Sequence, residues 1–167
     1  MNQPTVQCLI LACGNSLRED DGIGLYLAQW AEDRWRNDPR IRILCDHQWT
    51  PEIVEDVAKA ESVIFIDCAT DCAPGLVRTM SVEPAADISK LGTHHLDAAQ
   101  LLALSKHLYG AMPRASLLLT VGAASLELRE GFSDTVQAAL PEACRMLDES
   151  VESLLGGADA SEPDQRA

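Results

Sequence analysis

Short apolar runs alternate along the chain with longer segments in which apolar residues recur every three or four positions. The runs at residues 6–12, 62–67 and 116–121 predict strands that are buried on both faces of a sheet. Two shorter segments, 41–45 and 76–82, predict further strands, and the alternation in the second is typical of a sheet edge. The chain therefore offers about five strands.

Helical spacing of apolar residues appears at 22–35, 51–59 and 133–155, and leucines from Leu96 onward predict a helix that opens around Thr93. Strands that alternate with helices predict a three-layer α/β/α fold: a mostly parallel, twisted sheet with helices on both faces. Residues 1–155 are expected to form this single domain. Residues 156–167 lack an apolar pattern and are expected to be a disordered C-terminal tail.

Composition narrows the class of protein. Thirteen Lys and Arg against 26 Asp and Glu give a net charge of −13, which argues against nucleic acid or an anionic membrane as partner. No apolar run reaches the roughly 20 residues of a membrane span, and the first residues lack the basic flank of a signal peptide. We therefore expect a cytoplasmic protein. The six cysteines form no C-x-x-C pair, which favours reduced packing residues over a zinc site or disulfides.

In sheets of this type, ligands bind beyond the carboxyl ends of the strands, so the residues at the strand ends are the first candidates for a functional site. The loop at residues 14–24 carries the acidic pair Asp20–Asp21 and lacks both common glycine-rich phosphate-binding patterns. Asp46 follows the second predicted strand, and Asp67 ends the third. The alternative is structural: acids favour the positive end of a following helix, and Asp67 also suits a turn.

A histidine pair supplies the third candidate ligand. If Thr93 caps the predicted helix, His94 lies in its first turn, where the helix dipole favours the neutral imidazole that binds metals. His95 would point about a quarter-turn away, and helical geometry alone does not decide which of the two is the spectator. Two carboxylates and one imidazole suit a divalent metal such as nickel or zinc, with positions left open for water or substrate.

The same residues carry a family resemblance. The signature of the [NiFe]-hydrogenase maturation proteases is G-x-G-N-x-L-x-x-D-[DE]-G-x-G, then a strand ending in Asp, then a His that opens a helix. Gly14-Asn15-Ser16-Leu17, Asp20-Asp21-Gly22-Ile23-Gly24, Asp67 and His94 match it in order, and segments 119–122, 125–127 and 131–133 resemble the family's C-terminal stretch. Over residues 6–155 the sequence thus resembles this family. Ala12 replaces the first glycine, which is unfavourable only if that position needs a positive φ.

The resemblance implies an endopeptidase that removes the C-terminal extension of a nickel-loaded [NiFe]-hydrogenase large-subunit precursor. It implies that Asp21, Asp67 and His94 contact the metal, and it selects His94 over His95. The nickel is expected to belong to the precursor rather than to the protease. Asp21 or Asp67 would then act as general base on water, unless the metal itself polarises the carbonyl or activates the water. The protease is expected to be a monomer.

Other classes of protein fit less well or remain as alternatives. A signalling receiver domain carries its acidic pair directly after the first strand, whereas Asp20 and Asp21 come later in the loop. Such a domain also needs a Lys after a later strand, and the loop after residue 121 has none. A hydrolase with Ser16 or Cys68 as nucleophile lacks the G-x-S-x-G elbow. A non-catalytic recognition protein or chaperone for the nickel-loaded precursor is the main alternative. Cys13 and Cys68 are expected to border the crevice as bystanders.

Overall fold

The computed structural model describes residues 6–91 and 95–159, and within them one five-stranded sheet organises the chain. Its strands lie in the order β2-β1-β3-β5-β4, and all neighbours are parallel except β4, which runs antiparallel to β5 at one edge. The predictions of a mostly parallel sheet and of an edge strand at residues 76–82 are confirmed. The strand bounds are β1 (Val6–Cys13), β2 (Ile41–Asp46), β3 (Ala60–Ala69), β4 (Val77–Ser81) and β5 (Ala115–Gly122).

Helices cover both faces of the sheet, because successive side chains of a strand point to opposite sides. On one face Ile10 of β1 packs in a core that includes α1 and α4. On the other face Leu9 and Leu11 pack in a core that includes α2 and α3. The predicted three-layer architecture is therefore confirmed. The helix bounds are α1 (Ile23–Arg34), α2 (Val54–Ala58), α3 (Ala98–Tyr109) and α4 (Asp134–Asp159).

The start of α3 corrects one prediction: the helix begins at Ala98 and not around Thr93, which lies outside the described residues. Asp97 forms a capping box with Gln100, in which each side chain accepts a hydrogen bond from the other residue's amide. Leu96 is buried but not helical, and its amide donates to the carbonyl of Trp49 at 3.0 Å. Leu96 has the burial and the spacing of a helical leucine, so the sequence pattern predicted one helical turn too many.

Two other predicted helices differ in length. The segment expected as one helix at 51–59 begins with a 3-10 turn, Pro51–Ile53, before α2. The last helix continues to Asp159, four residues into the segment for which the sequence predicts a tail. Within the described ranges, no helix combines the length and the apolar character that crossing a membrane requires.

Candidate active site

The loop after β1 folds back on itself along a path that needs glycine. The amide of Gly14 donates to the carbonyl of Asp46, and the amide of Asn15 donates to the carbonyl of Asp21, each at 3.1 Å. A Cβ on Gly14 would lie 2.1 Å from the Asp21 carbonyl oxygen, far closer than real contacts allow. Glycine at position 14 therefore lets the loop return Asp21 to the end of β1.

A second glycine fixes where α1 begins. A Cβ on Gly24 would lie 2.1 Å from the carbonyl oxygen of Cys13, so the first turn of α1 touches the end of β1 directly. Ala12, which replaces the first glycine of the signature, is a fully buried strand residue paired with Cys45 and Ile66. Its backbone does not have a positive φ, so alanine is harmless at that position.

A cleft of about 320 Å³ opens at the carboxyl edge of the sheet. Asp21 lines it from the loop after β1, and Asp67 lines it from near the end of β3. The strand does not end at Asp67 as expected but continues to Ala69, two residues further, because residues 67–69 still pair with β5. The structure thus brings together two of the three carboxylate and imidazole residues that the sequence singles out. The remaining lining residues come from three segments: Cys13 and Gly14; His47, Gln48 and Trp49; and His95, Leu96 and Asp97.

The third predicted residue, His94, lies outside the described residues, whereas its neighbour His95 lines the cleft. Asp46, the other strand-end acid, is exposed, and its carboxylate accepts a hydrogen bond from the His47 amide at 2.7 Å. Across residues 6–91 and 95–159, no three His, Cys, Asp or Glu side chains are placed to hold a metal ion by themselves. Two members of the predicted set are therefore in the described cleft.

The carboxyl group of Asp67 has a perturbed environment. Partial burial raises its pKa, and the negative charge of Asp21 acts in the same direction. Two hydrogen bonds partly offset this effect: the Cys68 amide donates to Oδ1 at 2.7 Å, and the Cys13 thiol donates to the carboxylate. The net pKa of Asp67 is raised above that of an ordinary aspartate, which is a common property of catalytic acids and bases.

The two cysteines beside the cleft hold their protons firmly. Burial raises the pKa of the Cys13 thiol, and the carboxylates of Asp67 and Asp21 raise it further. Burial, followed by the same two carboxylates, raises the pKa of Cys68 to about 12. Because the thiolate is the nucleophilic and metal-binding form, these thiols are poor nucleophiles at neutral pH. This environment favours the interpretation of both cysteines as bystanders.

The adjacent residues Asp20 and Asp21 lie in different environments. Asp21 lines the cleft, whereas Asp20 is 1% exposed and accepts hydrogen bonds from Ala124, Ser125 and Ser133 of the segment that follows β5. Burial by itself raises the pKa of Asp20, but these hydrogen bonds outweigh burial, and the net pKa is lowered. Asp20 is therefore a buried, charged residue that does not line the cleft.

The sequence analysis did not identify the cleft wall that is formed by the residues directly after β2. His47, Gln48 and Trp49 line the cleft there, and Trp49 packs edge-to-face against Phe65 with ring centroids 5.2 Å apart. The Trp49 carbonyl also accepts the hydrogen bond from Leu96, which joins this wall to the segment before α3. Their position directly after a strand end was the available signal.

Size alone would point to a different place. A surface depression of about 680 Å³ lies around Trp35, at the end of α1. Its aspartates are paired with neighbouring arginines, Asp33 with Arg36 and Asp38 with Arg40. It contains none of the sequence-predicted residues, so the smaller cleft at the sheet edge is the candidate active site.

Comparison with known proteins shows the family. A family model described as HycI, hydrogenase maturation protease, matches residues 49–150, which include Asp67 and His94. The hydrogenase 2 maturation protease of Escherichia coli K12 is 28% identical over 142 residues, covering 83% of this chain and 86% of that protein. The hydrogenase expression/formation protein HupM of Azotobacter chroococcum is 30% identical over 150 residues, covering 84% and 71%.

Solved structures agree as well. The hydrogenase maturating endopeptidase HybD from E. coli superposes with a TM-score of 0.70 at 23% identity, covering 89% of this chain and 93% of that one. A hydrogenase 2 maturation peptidase from a thaumarchaeote has a TM-score of 0.65 at 25% identity, covering 87% and 98%. With more than half of its length matched by the family model, the chain belongs to the hydrogenase maturation proteases, the endopeptidases that cleave the C terminus of the hydrogenase large subunit.

Proposed function

We propose that this protein removes the C-terminal extension from a [NiFe]-hydrogenase large-subunit precursor after nickel has been inserted. The observation that carries the proposal is the meeting of Asp21 and Asp67 in one cleft, although each belongs to a different loop or strand. Such a cleft at the carboxyl ends of parallel strands is where α/β sheets bind their ligands.

We further propose that Asp21, Asp67 and His94 contact the nickel that the precursor brings. Carboxylate oxygens and an imidazole nitrogen are suitable ligands for nickel. The negative charge of Asp21 contributes to the raised pKa of Asp67, so the charge on Asp21 disfavours the ionisation of Asp67. A divalent cation between them would relieve that repulsion, so the cleft is electrostatically suited to receive a metal with its substrate.

The contact would place the scissile peptide beside the two carboxylates. A water molecule then attacks the peptide carbonyl carbon while one carboxylate accepts its proton. The C–N bond breaks as the same carboxyl group returns that proton to the leaving amine nitrogen. Asp67 suits this role because burial, the largest cause of its raised pKa, does not depend on the charge of Asp21 that the cation would offset, and a base is most effective when its pKa approaches the working pH. Alternatively, the nickel of the substrate polarises the carbonyl or activates the water. In either route Asp21 is the second carboxylate on the metal.

The test uses the precursor of the matching hydrogenase, prepared with and without nickel and incubated with this protein. We expect the intact mass of the nickel-loaded precursor to fall by the mass of a short C-terminal peptide and that of the nickel-free precursor to stay constant. Nickel-dependent binding without any mass loss would instead identify a recognition protein or chaperone. We also expect the protein to be a cytoplasmic monomer, for which a single mass by light scattering is the check on oligomeric state.

A further inference from the structure

We propose that Asp20 is a positioning residue, which holds the loop that carries Asp21 against the loop that follows β5. The inference rests on the proposed function only in assigning Asp21 to the site. With 1% of its surface exposed, Asp20 cannot touch the precursor, so any effect on cleavage must act through its neighbours. Nothing in the role proposed for Asp21 and Asp67 requires a second, buried acid at this place.

Both carboxylate oxygens of Asp20 accept hydrogen bonds from the loop that follows β5. Its Oδ2 accepts hydrogen bonds from the Ala124 amide at 2.8 Å, the Ser125 amide at 2.9 Å and the Ser133 hydroxyl at 2.8 Å. Its Oδ1 accepts one from the Ser133 amide at 2.8 Å. These donors lie at both ends of the loop, and only a side chain that accepts hydrogen bonds on both oxygens satisfies all four. Such a set repays the cost of burying a charge.

The backbones of the two loops are joined at the same place. The Asp20 amide donates to the Ser125 carbonyl at 3.2 Å, and the Glu19 amide donates to the Arg129 carbonyl at 2.8 Å. The carboxylate of Glu19 also pairs with the Arg129 guanidinium. Glu19 has a φ of 48°, a left-handed conformation that a non-glycine residue keeps only when its surroundings hold it there. The loop–loop contact therefore imposes the local backbone path.

Asp21 follows directly on this anchored pair. Its own backbone hydrogen bonds stay inside the loop, since its amide donates to the Arg18 carbonyl and its carbonyl accepts from Asn15. On the side facing the loop after β5, the hydrogen bonds that hold the Asp21 loop come from Arg18, Glu19 and Asp20, and Asp20 makes most of them. Releasing Asp20 is expected to let Asp21 move relative to Asp67, and displacements of about 1 Å lower catalysis steeply.

The test is Asp20→Asn, which keeps the shape but replaces one accepting oxygen with a donating amide that faces N–H or O–H donors. Single-turnover cleavage of the nickel-loaded precursor should slow about tenfold, with KM for the precursor changed less than twofold. Hydrogen exchange should accelerate in residues 14–22 and 123–133 while the strands keep their protection. The matched control is Asp87→Asn, which removes an exposed carboxylate bonded to Ser89 and should leave both readouts unchanged.

Two results would overturn the positioning role. One is a folded Asp20→Asn protein that cleaves at the wild-type rate, which would make Asp20 a purely structural residue. The other is unchanged hydrogen exchange in residues 14–22. If the wild-type protein cleaves no precursor at all, the proposed function fails by itself, and the exchange measurement still decides whether Asp20 anchors the Asp21 loop.

Discussion

Replacing Gly24 with alanine should damage both stability and catalysis through a single contact. Gly24 lies in the first turn of α1, where a Cβ would meet the Cys13 carbonyl oxygen at 2.1 Å. That oxygen belongs to the end of β1 and is backbone, so it cannot rotate away as a flexible side chain would. Either α1 or the end of β1 must therefore move by about 1 Å to reach ordinary van der Waals contact.

The size of the effect follows from two opposing contributions. Overpacking of this kind costs about 1–3 kcal/mol, whereas Gly→Ala in a helix gains up to about 1 kcal/mol from helix propensity. We expect a net loss of about 1–2 kcal/mol, which lowers Tm by roughly 2–8 °C in a domain of this size. Because the moving elements carry Asp21 and Cys13 in the cleft, the rate of cleavage should fall by up to about a hundredfold.

The matched control is Gly156→Ala in α4, where no atom lies within 4 Å of the added Cβ. The same substitution should there raise Tm slightly and leave cleavage unchanged, because only the helix-propensity gain remains. Tm is measured by calorimetry, and cleavage by the intact mass of nickel-loaded precursor over time. A Gly24→Ala protein as stable and as active as Gly156→Ala would refute the claim that close approach at Cys13 sets the cleft geometry.

Three further outcomes are expected. Asp67→Asn should reduce the cleavage rate by roughly a hundredfold or more while far-ultraviolet circular dichroism stays unchanged, since the loss of a general base has effects of that size. His94→Ala should abolish nickel-dependent cleavage and His95→Ala should lower it less than about tenfold; equal loss in both would contradict the assignment of His94. Iodoacetamide should alkylate Cys68 only slowly at pH 8, although Cys68 is partly exposed, because its raised pKa, about 12, leaves little thiolate. The alkylation rate of Cys68 should therefore keep rising with pH up to about 12, and a plateau below pH 10 in mass spectra of the labelled peptide would argue against the raised pKa.

Much of the fold was predictable from the sequence, because strands that are buried on both faces appear as continuous apolar runs. An apolar run such as β1 has few alternatives, and its parallel neighbours follow from the alternation with helices. The start of α3 was not predictable in the same way. Leu96 is buried, as a helical leucine would be, but the capping box of Asp97 and Gln100 fixes the first turn two residues later.

The part of the site that lies at the strand ends was predictable from the sequence. The rule that carboxyl ends of parallel strands meet at one edge brings Asp21 and Asp67 together. It cannot separate Asp20 from Asp21, because adjacent acids are chemically identical and only the path of the folded loop decides which one is buried. That path depends on a contact with residues more than a hundred positions away, such as Ser133, and no local pattern encodes such a contact.

The measurement that tests the account most directly is the intact mass of nickel-loaded precursor after incubation with wild-type protein or with Asp21→Asn. Asparagine keeps the size of the side chain and removes its charge, so the cleft stays in place while the paired carboxylates are lost. The account predicts loss of a short C-terminal peptide with the wild-type protein and an uncut precursor with Asp21→Asn over the same time. Cleavage by Asp21→Asn at the wild-type rate would contradict the claim that Asp21 and Asp67 act together on the precursor.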